Sequence, residues 1–248
     1  MAHWPTGYDR LILDETDSTN EEARRRAPAP GPLWILARKQ TAGRGRQGRD
    51  WSSPRGNLSA TLLIGRDEAP GELAKLSFHA SLAVADLLAH FAPGAEIATK
   101  WPNDTLLNGA KVAGILLENF GPGGGHKANL AIGIGINLAH HPDPADCRWP
   151  PTSLVAETGR APGIEEALLV LADHLDHWLG YSSGGADFAV VRAAWLARAS
   201  HLGQRIEARL GNQTLTGIFE DVDAEGALVL RTPNGTRRIA AADIYFPE

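Results

Sequence analysis

The sequence predicts an α+β fold: a mixed β-sheet flanked by helices over residues 1–199, followed by a small β-barrel over residues 200–248. Three observations lead there. Strand-like runs alternate with long stretches of 3.6-residue apolar period, so helices and a sheet share a core. Residues 111–120 and 126–138 are long runs rich in β-branched residues, joined by the glycine-rich turn 121–125, and read as a hairpin. From His201 onward the long elements give way to short strands separated by turn dipeptides, the texture of a small barrel.

Taken in order, residues 8–14 (YDRLILD) read as a first strand and residues 17–24 as the start of a helix that Pro28 and Pro30 end. Ser18 with Glu21, or Thr19 with Glu22, has capping-box spacing. Those hydroxyls therefore have a structural role to fill, which is compatible with ligand binding at a helix start. A strand follows at residues 33–37, and another at 57–65. Residues 72–91 place Leu73, Leu76, Ala80, Val84, Leu87, Leu88 and Phe91 on one face of an amphipathic helix, with His79 and His90 as ordinary helix residues. Residues 95–101 form a strand that must stop or reach an edge at Pro102, leaving Lys100, Asn103 and Asp104 at a strand end. Gly114, Gly133 and Gly135 interrupt the two hairpin strands, and three such glycines on neighbouring strands point to the wall of a pocket. Residues 140–152 are a proline-rich connection, in which His140 and His141 have no metal-type partners at ligand spacing. Residues 164–181 and 186–199 are amphipathic helices. In the carboxy-terminal part, Gly211-Asn212, Glu225-Gly226 and Asn234-Gly235 separate the short strands, the last being a favoured two-residue hairpin signal.

Composition narrows the function. At 248 residues, 43% hydrophobic and 21% charged, the chain has the balance of a soluble globular protein. A single cysteine, Cys147, excludes an internal disulfide framework and the common zinc patterns, and fits a reducing compartment. The amino terminus lacks the charged start and apolar core of a secretory signal, and no run is long enough to span a membrane, so a cytoplasmic location is expected. A net charge of −5 argues against a general nucleic-acid binder.

Against that acidic balance stands residues 38–51, RKQTAGRGRQGRDW, where Arg38, Lys39, Arg44, Arg46 and Arg49 meet one acid, Asp50. A run so basic and so poor in apolar side chains must face water or an anion. GRGRQG also spells GxGxxG, but turn formers follow it where a dinucleotide site needs a helix, so that reading fails. A flexible arginine loop suited to phosphate oxygens remains, with a solvated basic loop as the plainer alternative. No Gly-x-Ser-x-Gly elbow, Walker loop or His-Glu-x-x-His helix is present. Cations without an evident nucleophile suit a reaction that positions substrates and neutralises developing phosphate charge, such as attack of a carboxylate on a nucleoside triphosphate.

Five strings then carry a resemblance: Asp17-Ser18-Thr19-Asn20, Gln40 to Arg46 with Arg49 and Trp51, Lys100-Trp101-Pro102-Asn103-Asp104, Lys111-Val112-Ala113-Gly114-Ile115-Leu116, and Gly133-Ile134-Gly135-Ile136-Asn137. In this order the chain resembles the biotin protein ligase family, with Gln47 at a position where that family often has a basic or small residue. The resemblance implies a catalytic domain like that of class II aminoacyl-tRNA synthetases, and an SH3-like carboxy-terminal domain. It implies that biotin and ATP, with Mg²⁺, form biotinyl-5′-AMP, and that a lysine of a biotin carboxyl carrier protein or domain then attacks this anhydride. By the same resemblance, Ser18, Thr19, Asn20, Gln40, Gly43, Arg44, Gly45, Arg46, Lys111, Gly114 and Gly133 would form the biotin site. Arg46, Arg49, Trp51, Lys100, Asn103, Lys111 and Asn137 would hold ATP and the adenylate, Trp51 packing on adenine. Lys111, Arg44, Arg46 and Asp104 would be the catalytic set, with no resident metal ligands. Relatives that are also repressors begin with a helix-turn-helix domain; here the first strand starts near Tyr8, so no operator DNA binding is expected. A lipoate–protein ligase and a non-catalytic biotin sensor are the alternatives, and the oligomeric state stays open between monomer and homodimer.

Overall fold

A computed structural model describes residues 2–120, 128–147, 149–182, 187–210 and 213–245. Its larger sheet comprises β1 (Asp9–Leu13), β2 (Leu33–Ala37), β3 (Leu58–Arg66), β4 (Ile97–Lys100), β5 (Asp104–Leu107), β6 (Ala110–Phe120) and β7 (Ala128–Ile136), in the order β1-β2-β3-β7-β6-β5-β4. The β1–β2 pair is parallel and the other ladders are antiparallel, so the sheet is mixed as expected. Parallel neighbours need a crossover, which α1 (Thr19–Arg26) supplies. The hairpin of β6 and β7 is present, pairing Phe120 with Asn129; its expected turn, 121–125, lies outside the described residues.

Both faces of β2 are covered, which explains why it reads as an unbroken apolar run. Alternation sends Trp34, Leu36 and Leu62 to one face, under α2 (Pro70–Phe91) and α4 (Ile164–Leu179), and Ile35 and Leu63 to the other, under Ala23 of α1. The remaining helices are α3 (Leu154–Thr158) and α5 (Asp187–Leu196).

The capping box at α1 does not form. Ser18 has the extended backbone of an N-cap, but its side chain makes no capping bond. Glu21 pairs instead with Arg24 and Arg44, and Glu22 with Arg25 and Arg26, because guanidinium partners outcompete a single backbone N–H. The Ser18 N–H donates to Asp17 Oδ1 at 2.7 Å, and the Thr19 N–H to Gln40 Oε1 at 2.7 Å.

The carboxy-terminal unit is a five-stranded antiparallel sheet of β8 (Arg205–Leu210), β9 (Gln213–Val222), β10 (Leu228–Thr232), β11 (Gly235–Ile239) and β12 (Asp243–Tyr245), ordered β11-β10-β9-β8-β12. This is the small β unit expected after residue 200, and among the described residues no ladder joins β11 to the short β12. The expected Asn234-Gly235 turn is shifted by one residue: Thr232 pairs with Gly235, so Pro233 and Asn234 form the loop. Proline cannot take the positive φ of a type I′ turn, and Gly235 absorbs it at +104° instead.

This unit does not own a separate core. Ile206, Phe219, Leu228 and Leu230 pack in one cluster with Phe78 and Leu82 of α2, Val191 and Trp195 of α5, and Trp101. A boundary at 199/200 divides the chain without dividing the packing. Thermal unfolding of the whole protein is therefore expected as one cooperative transition; two separated transitions by calorimetry would contradict the shared core.

A titratable residue lies within the core. His79 of α2 is 2% exposed, and its ring Nδ1 lies 3.1 Å from the Lys75 carbonyl oxygen, to which it donates. Burial pushes its pKa down to about 4, opposed by that hydrogen bond and reinforced by Arg66. Folded His79 stays neutral while the unfolded chain takes up a proton below its ordinary pKa of about 6.5. Stability should thus fall as pH drops from about 6.5 towards 4, by up to about 3 kcal/mol. Urea titrations over this range should show a shallower fall for His79→Leu; an equal slope in both would contradict the assignment.

Candidate active site

The predicted residues converge. A cavity of about 640 Å³ is lined by Ser18, Thr19 and Asn20 at the start of α1, by Gln40, Arg44, Gly45, Arg46, Arg49 and Trp51 after β2, by Lys100, Asn103 and Asp104 between β4 and β5, by Lys111 and Gly114 of β6, and by Gly133 and Asn137 at the end of β7. Gly43 is the exception. A Cβ there would sit 2.5 Å from the Trp51 carbonyl oxygen, so Gly43 serves the close approach of two backbone arms instead of lining the cavity.

Those arms shape the expected arginine loop as a narrow hairpin. The Trp51 N–H donates to the Gly43 oxygen at 2.9 Å and the Gly45 N–H to the Arg49 oxygen at 2.7 Å. At its tip Gln47 and Gly48 take φ of 58° and 70°, left-handed values that glycine adopts without strain and glutamine does not. The side chains are individually tethered: Arg44 to Glu21, Arg49 to Asp243 of β12, and Arg46 Nη1 to Asn103 Oδ1 at 3.5 Å.

Register explains the cavity floor. On β7, Gly133 lies under the Asn20 carboxamide, where a Cβ would fall 2.3 Å from Oδ1. Two residues on, Gly135 lies under the Trp51 indole, where a Cβ would fall 2.3 Å from Nε1. Gly114, paired with Gly135 on β6, also faces the indole and neighbours Lys111, whose Nζ is 5.4 Å from the Trp51 ring centre. The glycines therefore do mark a pocket wall, and the first groups to approach them are the protein's own. The floor leads from neutral hydrogen-bonding groups, past an aromatic plate, to cations.

At the neutral end Gln40 Oε1 accepts from the Thr19 N–H and hydroxyl, and Gln40 Nε2 donates to Ser53 Oγ at 2.7 Å. Thr61 Oγ1 lies 2.8 Å from Thr19 Oγ1 and 2.7 Å from Asn20 Oδ1. At the cationic end the strands β4 and β5 pair Lys100 directly with Asp104 across the turn at Pro102. Asp104 Oδ1 is 2.6 Å from Lys111 Nζ and Oδ2 is 3.5 Å from Lys100 Nζ. Burial pushes the Asp104 carboxyl up, but Lys111 and Lys100 outweigh it and hold its pKa below the usual carboxylate range. Burial also pushes Lys100 below the usual ammonium range, against the pull of Asp104. One buried carboxylate thus keeps two ammonium groups in place beside the cavity, where an incoming phosphate can compete for them.

Asn137 sits there with its amide already engaged, donating to the Thr152 oxygen at 3.0 Å and accepting from Asn57 Nδ2 at 3.4 Å. It braces the chain after residue 150. Sequence reasoning missed Thr61, Asp243 and Trp149, whose ring lies 5.0 Å from Lys100 Nζ. Thr61 alone left a signal, a polar side chain within an apolar strand. Among the described residues no three His, Cys, Asp or Glu side chains could hold a metal ion, and the nearby Asp104 is already neutralised. The donor set fits a Mg²⁺ carried on phosphate oxygens and water.

Two family models match the chain: the biotin/lipoate A/B protein ligase family over residues 10–137, and the biotin protein ligase C terminal domain over residues 201–246. The sequence is 48% identical over 240 residues to the biotin--[acetyl-CoA-carboxylase] ligase of Paracoccus denitrificans, covering 95% of this chain and 99% of that protein. It is 33% identical to the bifunctional ligase/repressor BirA of Bacillus subtilis (strain 168), covering 94% of this chain and 71% of that one. The biotin protein ligase from Aquifex aeolicus in complex with biotin and ATP has a similar structure, with a TM-score of 0.81 at 26% identity, covering 96% and 97% of the two chains.

Proposed function

The chain belongs to the biotin/lipoate A/B protein ligase family, and from this premise we propose that it activates biotin with ATP as biotinyl-5′-AMP and transfers the biotinyl group to a lysine of a biotin carboxyl carrier protein. The observation that carries the reading is the floor that joins a neutral polar patch to Lys111 and Arg46 past Trp51.

Each role follows from chemistry. The ureido ring of biotin is neutral and polar, and matches the hydroxyls and amides of Ser18, Thr19 and Gln40. Attack of the biotin carboxylate on the α-phosphate of ATP breaks the α–β phosphoanhydride bond and releases pyrophosphate. Lys111, Arg44 and Arg46 offset the charge that develops on the phosphate oxygens, with Lys100 and Asp104 holding the array together. Mg²⁺, when bound with the nucleotide, would supply further charge neutralisation. The carrier lysine then attacks the anhydride carbonyl and AMP leaves. The arginine hairpin that lines the cavity would shield the anhydride from water until then. No described helix is long and apolar enough to cross a membrane. An ATP-dependent reaction and a single cysteine support a cytoplasmic location.

Incubation with biotin, ATP, Mg²⁺ and a biotin-carrier domain should add one biotinyl group to the carrier by mass spectrometry. An unmodified carrier would refute the reading, and lipoate outperforming biotin in ATP–pyrophosphate exchange would favour the lipoate branch of the family. Arg46→Ala should release the adenylate faster and label bystander proteins; retention equal to the parent would show that the hairpin does not hold the intermediate. Asp243→Asn weakens the tether of Arg49 and should raise KM for ATP about threefold to tenfold, the effect expected of one charge-assisted hydrogen bond, while KM for biotin stays constant.

A further inference from the structure

The carboxamide of Asn20 is 4% exposed and engaged on both sides. Its Oδ1 accepts from Thr61 Oγ1 at 2.7 Å, and its Nδ2 donates to Glu118 Oε2 at 2.6 Å with the Leu116 carbonyl oxygen at 3.4 Å. It also fills the space that a side chain at position 133 would take. One amide thereby ties the start of α1 to β3, β6 and β7. Strand periodicity puts Glu118 on the same face of β6 as Gly114 and Leu116, which line the cavity, while Glu118 itself stands beyond the lining. The shortest of these bonds is the charge-assisted one to Glu118.

We propose that Glu118 is a positioning residue for recognition of the acid substrate: its carboxylate fixes Asn20, and through it the first turn of α1, so that the Ser18 and Thr19 hydroxyls face the bound biotin. This rests on the function proposed above. Asn20 is then a strut and not a ligand of the ureido ring. Removing the carboxylate leaves a buried N–H₂ group without its strongest acceptor and frees the turn to move, which penalises biotin without touching the cationic end. A glutamine at 118 keeps a carbonyl acceptor at the same reach.

The test is ATP–pyrophosphate exchange on the intact enzyme with each substrate varied in turn. Glu118→Ala should raise KM for biotin about tenfold, with KM for ATP and kcat within about twofold, whereas Glu118→Gln should stay within about threefold of the parent throughout. Asn20→Asp, which sets two carboxylates against each other, should also raise KM for biotin, and the double variant Asn20→Asp with Glu118→Gln should recover much of it by restoring a donor–acceptor pair. Parent enzyme that exchanges with biotin while Glu118→Ala is unchanged would overturn this inference alone. So would equal rises in both KM values tracking a lowered Tm, or a double variant no better than Asn20→Asp. Parent enzyme without biotin-dependent exchange would overturn the function and this inference together.

Discussion

Lys111→Ala is expected to lower biotin-dependent ATP–pyrophosphate exchange by about 10²–10³-fold, the range found when a donor aimed at developing charge is removed. The ammonium group stands at the junction of the cavity floor and the cations, 5.4 Å from the Trp51 ring centre and 2.6 Å from Asp104 Oδ1. In the ground state Asp104 occupies it, and in the adenylation transition state the phosphate oxygens compete for it. The loss should therefore appear chiefly in kcat, because binding of the neutral ureido ring takes place elsewhere. Substitution also leaves Asp104 with Lys100 as its remaining lysine partner, at 3.5 Å, so a lowered Tm is expected alongside. Lys111→Arg tests geometry, since a planar guanidinium cannot replace a compact ammonium between a carboxylate and an indole. Exchange within about threefold of the parent for Lys111→Ala would remove Lys111 from the chemistry.

Gly135→Ala is expected to be nearly as damaging despite adding a single methyl group. That carbon would lie 2.3 Å from Trp51 Nε1 and 2.5 Å from Cε2, far inside contact distance, so the indole must leave the floor or the strand must bend. Overpacking of this kind costs about 1–3 kcal/mol, and here the displaced group is the plate between the neutral and cationic ends. Exchange should drop about 10–100-fold with a raised KM for ATP, if 1–3 kcal/mol is lost from the bound state. Gly65→Ala on β3 is the control, because nothing lies within 4 Å of a Cβ there, and it should behave as the parent. Equal effects of the two substitutions on exchange and Tm would mean that Trp51 has no special part in the site.

These expectations depend on features that were unequally visible in the sequence. β2 and the 3.6-residue period of α2 were legible because burial on two faces, or on one stripe, leaves a repeating pattern. β5 and β12, four and three residues long, carry too little pattern to be read. The capping box was misread because its two glutamates had arginine partners within the same helix, and Arg44 from another segment, competing for them. For the site, the local strings around Ser18, Arg44, Lys100, Lys111 and Gly133 identified its lining, since each string sits on one turn or strand end. The supports were hidden. Glu118 meets Asn20, and Asp243 meets Arg49, only after the sheet and the carboxy-terminal unit have packed, and no spacing in the chain encodes those encounters. Asn137 shows the converse: a motif residue can reach the cavity with its hydrogen bonds already committed to the scaffold.

The most direct test of the central claim is a crystal structure of the enzyme with biotinyl-5′-AMP. The expected result has the phosphate oxygens within hydrogen-bond reach of Lys111 Nζ and the Arg46 guanidinium, the ureido ring against Ser18, Thr19 and Gln40, and the Trp51 ring in contact with the ligand. A ligand whose phosphate lies away from both cations, or one bound outside this cavity, would contradict the account.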